Sequence, residues 1–275
     1  MIISYTNANG DTVNFTAPIK WNQLIGTGSD IEYASTQNPF GDGEVVNSLY
    51  IPSKRVQLSL LFLNGSEAAN MSLYQETMKY LSPKLGIGYL RIRVTGVYDV
   101  KLNCYLESHT PVFDLISGRR ILKSTVTFYA PDPMFYDTTS TTVTVSGYGG
   151  GFTVPLDVPI VMSALGSTTC TNNGNSTTPF LYEIKGYCVN PTLINQDTGE
   201  MIIYTGTVLA GETLQIYTKY GEQYARLNGV NVFYNLGSST LFLLQPGINN
   251  VTYFAYNETV SSEATITFSS AWDSL

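Results

Sequence analysis

"FYAPDPMFY", residues 128–136, lies near the middle of the 275-residue chain and divides two kinds of sequence. Before it, apolar and polar residues alternate as in a strand. Within it, Pro131 and Pro133 each lack an N–H, fix their own φ and restrict the residue before them. After it a Ser/Thr tract begins. The stretch reads as a junction between two domains, 1–137 and 138–275, with Pro131, Asp132 and Pro133 setting the chain direction at the crossing.

The charge divides at the same place. The first part carries 11 basic and 12 acidic side chains, a balance of −1, and the second carries 3 and 9, a balance of −6. Different surfaces suggest different partners. Neither part is basic enough for a dedicated nucleic-acid binder. Only 13% of the residues are charged, well below the usual quarter. Such weak self-repulsion suits a subunit of a permanent assembly. No run of eighteen apolar residues is present to cross a membrane as a helix. MIISYTNANG has neither a basic start nor an apolar core, so it does not read as a secretion signal, and synthesis in a cytoplasm is expected. Cys104, Cys170 and Cys188 stand at no metal-ligand spacing. Cys104 falls on the apolar phase of a strand, and Cys170 and Cys188 could pair only in an oxidising medium.

Upstream of the junction the pattern is α+β: an antiparallel sheet with one helix. Val56, Leu58, Leu60 and Phe62 alternate, as do Leu90, Ile92 and Val94. Tyr98 through Leu106 keep the same period over nine positions, and Leu122–Phe128 repeat it. A period of two over such lengths marks half-buried strands. From Glu67 to Leu81, Met71, Tyr74, Met78 and Leu81 recur at three- and four-residue steps. That spacing predicts a helix with one apolar stripe, capped around Asn64-Gly65-Ser66 and stopped by Pro83.

Two stretches read as long loops. Residues 26–54 contain Phe40 within Pro39-Phe40-Gly41-Asp42-Gly43. Residues 107–120 carry Pro111, Val112, Phe113, Leu115 and Ile116 and end on Arg119-Arg120. A hairpin tip needs only two to five residues, commonly polar ones. An apolar, extended tip is costly to leave in water. It either folds back on its own domain or reaches a neighbouring subunit. Phe40 and these seven residues are therefore the candidate intersubunit positions.

Downstream the pattern is all-β. Residues 165–179 read as a polar loop, and then short runs such as FLYEIKGY, TLQIYT, YARL, VNVFY, LFLL, VTYFAY and ATITF recur between turn pairs. That spacing predicts an antiparallel sandwich. Asn228-Gly229 between YARL and VNVFY predicts a two-residue hairpin, because both residues tolerate positive φ.

No catalytic constellation is present. His109, the one histidine, reads as a loop residue. No Gly-x-Ser-x-Gly elbow, phosphate loop, zinc set or Ca²⁺ loop accompanies it, and the acidic residues of the second part sit singly at turns. No enzyme activity, cofactor or metal is expected.

The ordered motifs resemble a known family. Gly41-Asp42-Gly43 precedes Arg55-Val56-Gln57-Leu58-Ser59-Leu60. The helix follows, and Phe128 to Tyr136 close the first domain. Asn190-Pro191-Thr192-Leu193, Asp197-Thr198-Gly199, Gly211-Glu212-x-Leu214-x-Ile216 and Leu241-Phe242-x-Leu244-x-Pro246-Gly247 then follow. Together they are similar to the phage distal tail (Dit) family, also described as siphovirus tail component. The resemblance implies a tail-tube-like, ring-forming first domain that assembles as a hexamer. It also implies a galectin-like or carbohydrate-module-like sandwich outside that ring. The implied role is a virion adaptor at the distal end of the tail, between tail tube protein and baseplate, tail-tip or receptor-binding proteins. Galectin-type sugar binding leans on a Trp platform and basic donors. The second part offers Trp272 near the chain end and only Lys185, Lys219 and Arg226, so carbohydrate is the lesser expectation. The other readings are a carbohydrate-binding protein and another tail-tube subunit.

Overall fold

In the computed structural model, which describes residues 1–116, 119–145, 163–256 and 262–275, the strand ending at Ala130 halts and then resumes. Strand β9 (Arg119–Ala130) runs antiparallel to β8 (Tyr98–Ile116) as far as Tyr105↔Tyr129. After Pro131–Met134 the chain returns to β8 as β10 (Phe135–Asp137), with Phe135 opposite Leu102. The two prolines cannot donate to a ladder, and Asp132 fills the gap. Its carboxylate accepts from the Met134 N–H at 3.2 Å and from the Tyr136 hydroxyl at 3.0 Å. Phe135 is wholly buried. The quoted stretch is thus an interruption within one sheet, and the first unit ends beyond it, at Thr138.

That unit comprises Met1–Thr138 and Trp272–Leu275. Its other strands are β1 (Ile2–Thr6), β2 (Thr12–Asn14), β3 (Ile19–Ile25), β4 (Glu32–Gln37), β5 (Glu44–Tyr50), β6 (Lys54–Phe62) and β7 (Gly88–Val94). Helix α1 covers Glu67–Tyr80. The main sheet has the order β2-β1-β7-β8-β9-β6-β3. Its two arms face each other across one core, where the Tyr5 and Phe128 rings stack at 5.2 Å. The helix starts at Ser66, whose hydroxyl accepts from the Ala69 N–H. Tyr74 and Leu81 are buried, but so are Asn70 and Thr77. Each of these polar residues is satisfied locally: the Asn70 amide oxygen takes the Asn64 N–H, and the Thr77 hydroxyl donates to the Leu73 carbonyl.

The second unit, Thr139–Ala271, has its own core. One sheet contains β11 (Thr141–Thr144), β13 (Phe180–Lys185), β17 (Thr213–Tyr217), β18 (Tyr224–Leu227), β19 (Val230–Asn231) and β21 (Glu263–Phe268), in the order β11-β21-β13-β17-β18-β19. The other contains β12 (Ser163–Asn172), β14 (Cys188–Asn195), β15 (Met201–Ile203), β16 (Thr207–Val208) and β20 (Gly247–Tyr256). Its order is β12-β20-β14-β15, with β16 also on β14. The last strand, β22 (Ala271–Trp272), pairs with β10.

Three sequence expectations downstream of the junction need correction. Residues 163–172 are a ten-residue strand paired along its whole length with β20, where the sequence reads as a loop from 165. VNVFY keeps only Val230–Asn231 as strand before a 3₁₀ turn at Phe233–Asn235, and LFLL forms only a bridge through Leu244. Trp272 packs on the first core. On the point the sequence leaves open, Cys170 and Cys188 are unpaired, and all three cysteines are buried and free. The Asn228-Gly229 hairpin is present with φ of 49° and 82°.

A candidate intersubunit surface on two hairpins

Strand β8 continues well past the core. From Tyr98 to Cys104 it pairs with β7, and from Tyr105 it pairs with β9 out to Ile116↔Arg119. Residues 107–116 are therefore one side of an extended hairpin arm and not an irregular loop. The register shifts at Glu107, between Leu106 and Ser108. A bulge inserts one extra residue, so the face on which side chains point inverts beyond it. Before the bulge, Leu102, Cys104 and Leu106 point into the core; after it His109, Pro111 and Phe113 share the face of Val126, Ser124 and Leu122.

His109 therefore sits on a strand and not in a loop. Its Nδ1 shares a 2.5 Å hydrogen bond with the Tyr74 hydroxyl, which fastens the base of the arm to α1. The bulged Glu107 takes two bonds from Arg55 Nε, at 3.0 and 2.9 Å, and that guanidinium lies over the Tyr129 ring.

Toward the tip the core no longer covers the arm. Val112 is 53% exposed, on the face it shares with Lys123, and Phe113 is 40% exposed on the opposite face. Pro111 is exposed as well. Leu115 pairs with Arg120 and Ile116 with Arg119 along the backbone; their side chains lie outside the described residues.

Residues 26–54 also hold regular structure where a loop is expected. β4 and β5 form a separate two-stranded ribbon that belongs to no larger sheet. Gly26 makes the exit from β3 possible: its φ is +88°, and a Cβ there would lie 2.1 Å from the Arg55 carbonyl oxygen. Every residue of β4 and β5 is exposed. One face carries Tyr33 opposite Leu49 and Ser35 opposite Val46, the register being reset by a bulge at Asn47. The other face is polar at its base, where the Tyr50 hydroxyl donates to Glu32 Oε2 at 2.6 Å; the bulged Asn47 amide donates to Thr36 Oγ1. Tyr33 and Leu49 are 61% and 67% exposed, and Phe40, at the turn, is 98% exposed.

Sequence reasoning misses one further feature, the return of the chain end. Trp272 Nε1 donates to Asp137 Oδ1 at 3.1 Å, and Ser29 Oγ donates to the Asp273 carbonyl at 2.7 Å. The ammonium of buried Lys54 donates to the same carbonyl and lies 4.7 Å from the Phe135 ring centre. Burial lowers the Lys54 pKa below its ordinary 10.5, while Asp273 and Asp30 oppose the shift. No local pattern signals a two-residue strand, so the return could not be read from sequence.

No group of three His, Cys, Asp or Glu side chains is placed to hold a metal among the described residues. Burial pushes the Cys104 thiol up to about 12 and the Cys170 thiol up to about 11, away from nucleophilic use. In the second unit the basic side chains are engaged: Lys185 with Glu183 at 2.7 Å, Lys219 with Glu222 at 2.7 Å, and Arg226 over the Tyr224 ring.

Comparison with known proteins agrees with this architecture. Residues 173–272 match the family described as siphovirus-type tail component, C-terminal domain. The crystal structure of the SPP1 Dit protein is described as a paradigm of the hub adsorption apparatus in phages infecting Gram-positive bacteria. It superposes with a TM-score of 0.68 at 16% identity, over 98% of this chain and 99% of that one. A chain of the phage P2 baseplate in its activated conformation with Ca covers 97% of this chain and 98% of its own, at a TM-score of 0.49 and 13% identity. No curated protein sequence matches. The SPP1 superposition shows that the chain shares the fold of that Dit protein over nearly its whole length. Residues 173–272 are thus similar to the C-terminal domain of the siphovirus-type tail components.

Proposed function

We propose that this protein is the hub at the distal end of a phage tail, acting as a ring of six copies. The first units close the ring and continue the tail tube. The second units, as galectin-like sandwiches, hold baseplate, tail-tip or receptor-binding proteins on the outside. The chain is made in the host cytoplasm and joins the virion without cofactor, metal or catalysis. One observation carries this reading: the first unit holds two hairpins whose large apolar side chains, from Tyr33 and Phe40 to Val112 and Phe113, are 40–98% exposed among the described residues. A subunit that closes a ring needs such uncovered surface on two different sides, because a head-to-tail contact joins unlike patches. Pro111, Val112, Phe113, Leu115, Ile116, Arg119, Arg120 and Phe40 are the proposed intersubunit residues, with Pro131, Asp132 and Pro133 at the junction. Carbohydrate is not the proposed ligand of the sandwich, since Lys185, Lys219 and Arg226 all have partners already.

Size-exclusion chromatography with light scattering tests the reading on the full chain. Six times the 30.2 kDa chain mass is expected. A monomer that binds immobilised sugar would replace the hub with a lectin, and open tubes of indefinite length would indicate a tube subunit.

A further inference from the structure

The two hairpins differ in charge as well as position, and the difference suggests what covers each. Residues 26–53, which include the β4–β5 ribbon, contain Asp30, Glu32, Asp42 and Glu44 and no lysine or arginine. The arm, residues 107–123, carries Arg119, Arg120 and Lys123 against Glu107 and Asp114, a balance of 3 − 2 = +1 beside the ribbon's 0 − 4 = −4. Each hairpin is apolar: Tyr33, Val46 and Leu49 share one face of the ribbon, and Val112 and Phe113 flank the arm. Opposite charge excess around two apolar centres steers unlike patches together and helps set their register.

We propose that the arm and the ribbon are the two halves of one interface, the arm of each copy packing on the β4–β5 ribbon of the next. This rests on the ring proposed above and deepens it. A closed ring requires a donor patch and a different acceptor patch on every subunit, and the first unit presents one uncovered apolar hairpin of each charge. Arm-to-arm contact would instead be isologous, would bring Arg119 and Arg120 of two copies together, and would stop at a dimer.

Complementation between two defective full-length chains tests the pairing. One carries Val112→Asp and Phe113→Asp, so its arm is disabled; the other carries Val46→Asp and Leu49→Asp, so its ribbon is disabled. All four positions are exposed in the single chain, and far-ultraviolet circular dichroism should match the wild type. Each variant alone is expected to run as a monomer. Mixed one to one, they are expected to give a heterodimer of twice the chain mass and nothing larger, because only one intact arm can meet one intact ribbon. If the wild type is a ring and the mixture stays monomeric, or the ribbon variant still forms the ring, the pairing is wrong while the ring stands. A monomeric wild type overturns the ring and the pairing with it.

Discussion

Between Ile31 and Tyr50 the first unit exposes Tyr33, Phe40, Val46 and Leu49 on one projecting ribbon. In the second unit Leu209, Tyr220 and Ile248 are exposed singly, and only Val230, Phe233 and Tyr234 fall close together, around a 3₁₀ turn and not on an extended ribbon. Both units have a full core of their own. The contrast therefore does not reflect poorer folding of the first unit; it concerns what is left over once each core is complete. Scattered single exposures are ordinary for a folded surface, whereas clustered ones on an extended element mark a contact. The first unit thus concentrates exposed apolar side chains on one ribbon, away from its own core.

The comparison predicts opposite consequences for two apolar truncations in the same pair of strands. Phe128 is wholly buried on β9 and stacks on Tyr5. Replacing it by alanine removes a core aromatic and should cost roughly 3–5 kcal/mol. Val112, on the partner strand, should cost less than about 0.5 kcal/mol of folding stability when replaced by alanine in a monomeric background. Trp21 and Trp272 both pack on the first core, so tryptophan fluorescence during urea unfolding reports this unit. Equal losses at the two positions would mean that the arm is buried within its own chain.

How much of this is readable beforehand depends on where burial acts on the sequence. Val56–Phe62 and Tyr98–Leu106 announce themselves because one face of each strand lies against the core and selection keeps every second residue apolar. The α1 boundaries are legible from Ser66 and Pro83. The β4–β5 ribbon is not, because neither face is buried in the single chain, and the bulge at Asn47 breaks what period there is. The arm's apolar content is legible, yet its faces are not, since the bulge at Glu107 changes the phase without changing the residue types. Ser163–Asn172 escapes notice because Ser and Thr fill it. Cys170 and Asn172 are its buried side chains among those described, and threonine is as much a strand residue as a loop one. Trp272 looks like part of the sandwich because sequence order is the only guide to a segment of two residues.

That last case gives the next prediction. If Trp272–Leu275 complete the first unit, then Trp272→Ala should destabilise that unit and spare the second. The lost contacts are the hydrogen bond to Asp137 and the packing of a partly buried ring, together about 2 kcal/mol, below the full cost of a buried tryptophan. Trp21 remains as reporter of the first unit, while circular dichroism follows both. A biphasic transition should appear, its earlier phase seen by fluorescence. A single transition shifted equally for both probes would show that the four residues do not belong to one unit.

The smallest expected effect separates the units by acid. In the first unit the Asp99 carboxyl is held below its ordinary 3.8, chiefly because Arg91 donates to it from Nε and Nη2 at 2.7 and 2.6 Å, with Arg93 adding to the field. In the second, hydrogen bonds from Lys185 and then Gln215 hold Glu183 below 4.5. A carboxyl whose folded value is depressed takes up its proton more readily when unfolded. The stability it contributes is therefore complete above the unfolded value and is lost as pH falls through the folded one. Both pairs are partly exposed, so each should be worth less than about 1 kcal/mol. Asp99→Asn should flatten the fall in stability below pH about 3.8 when read by tryptophan fluorescence. The circular-dichroism signal of the second unit should keep its acid dependence through Glu183. Were both signals flattened together, acid sensitivity would be a property of the whole chain, and the division into two units with separate cores would lose its energetic meaning.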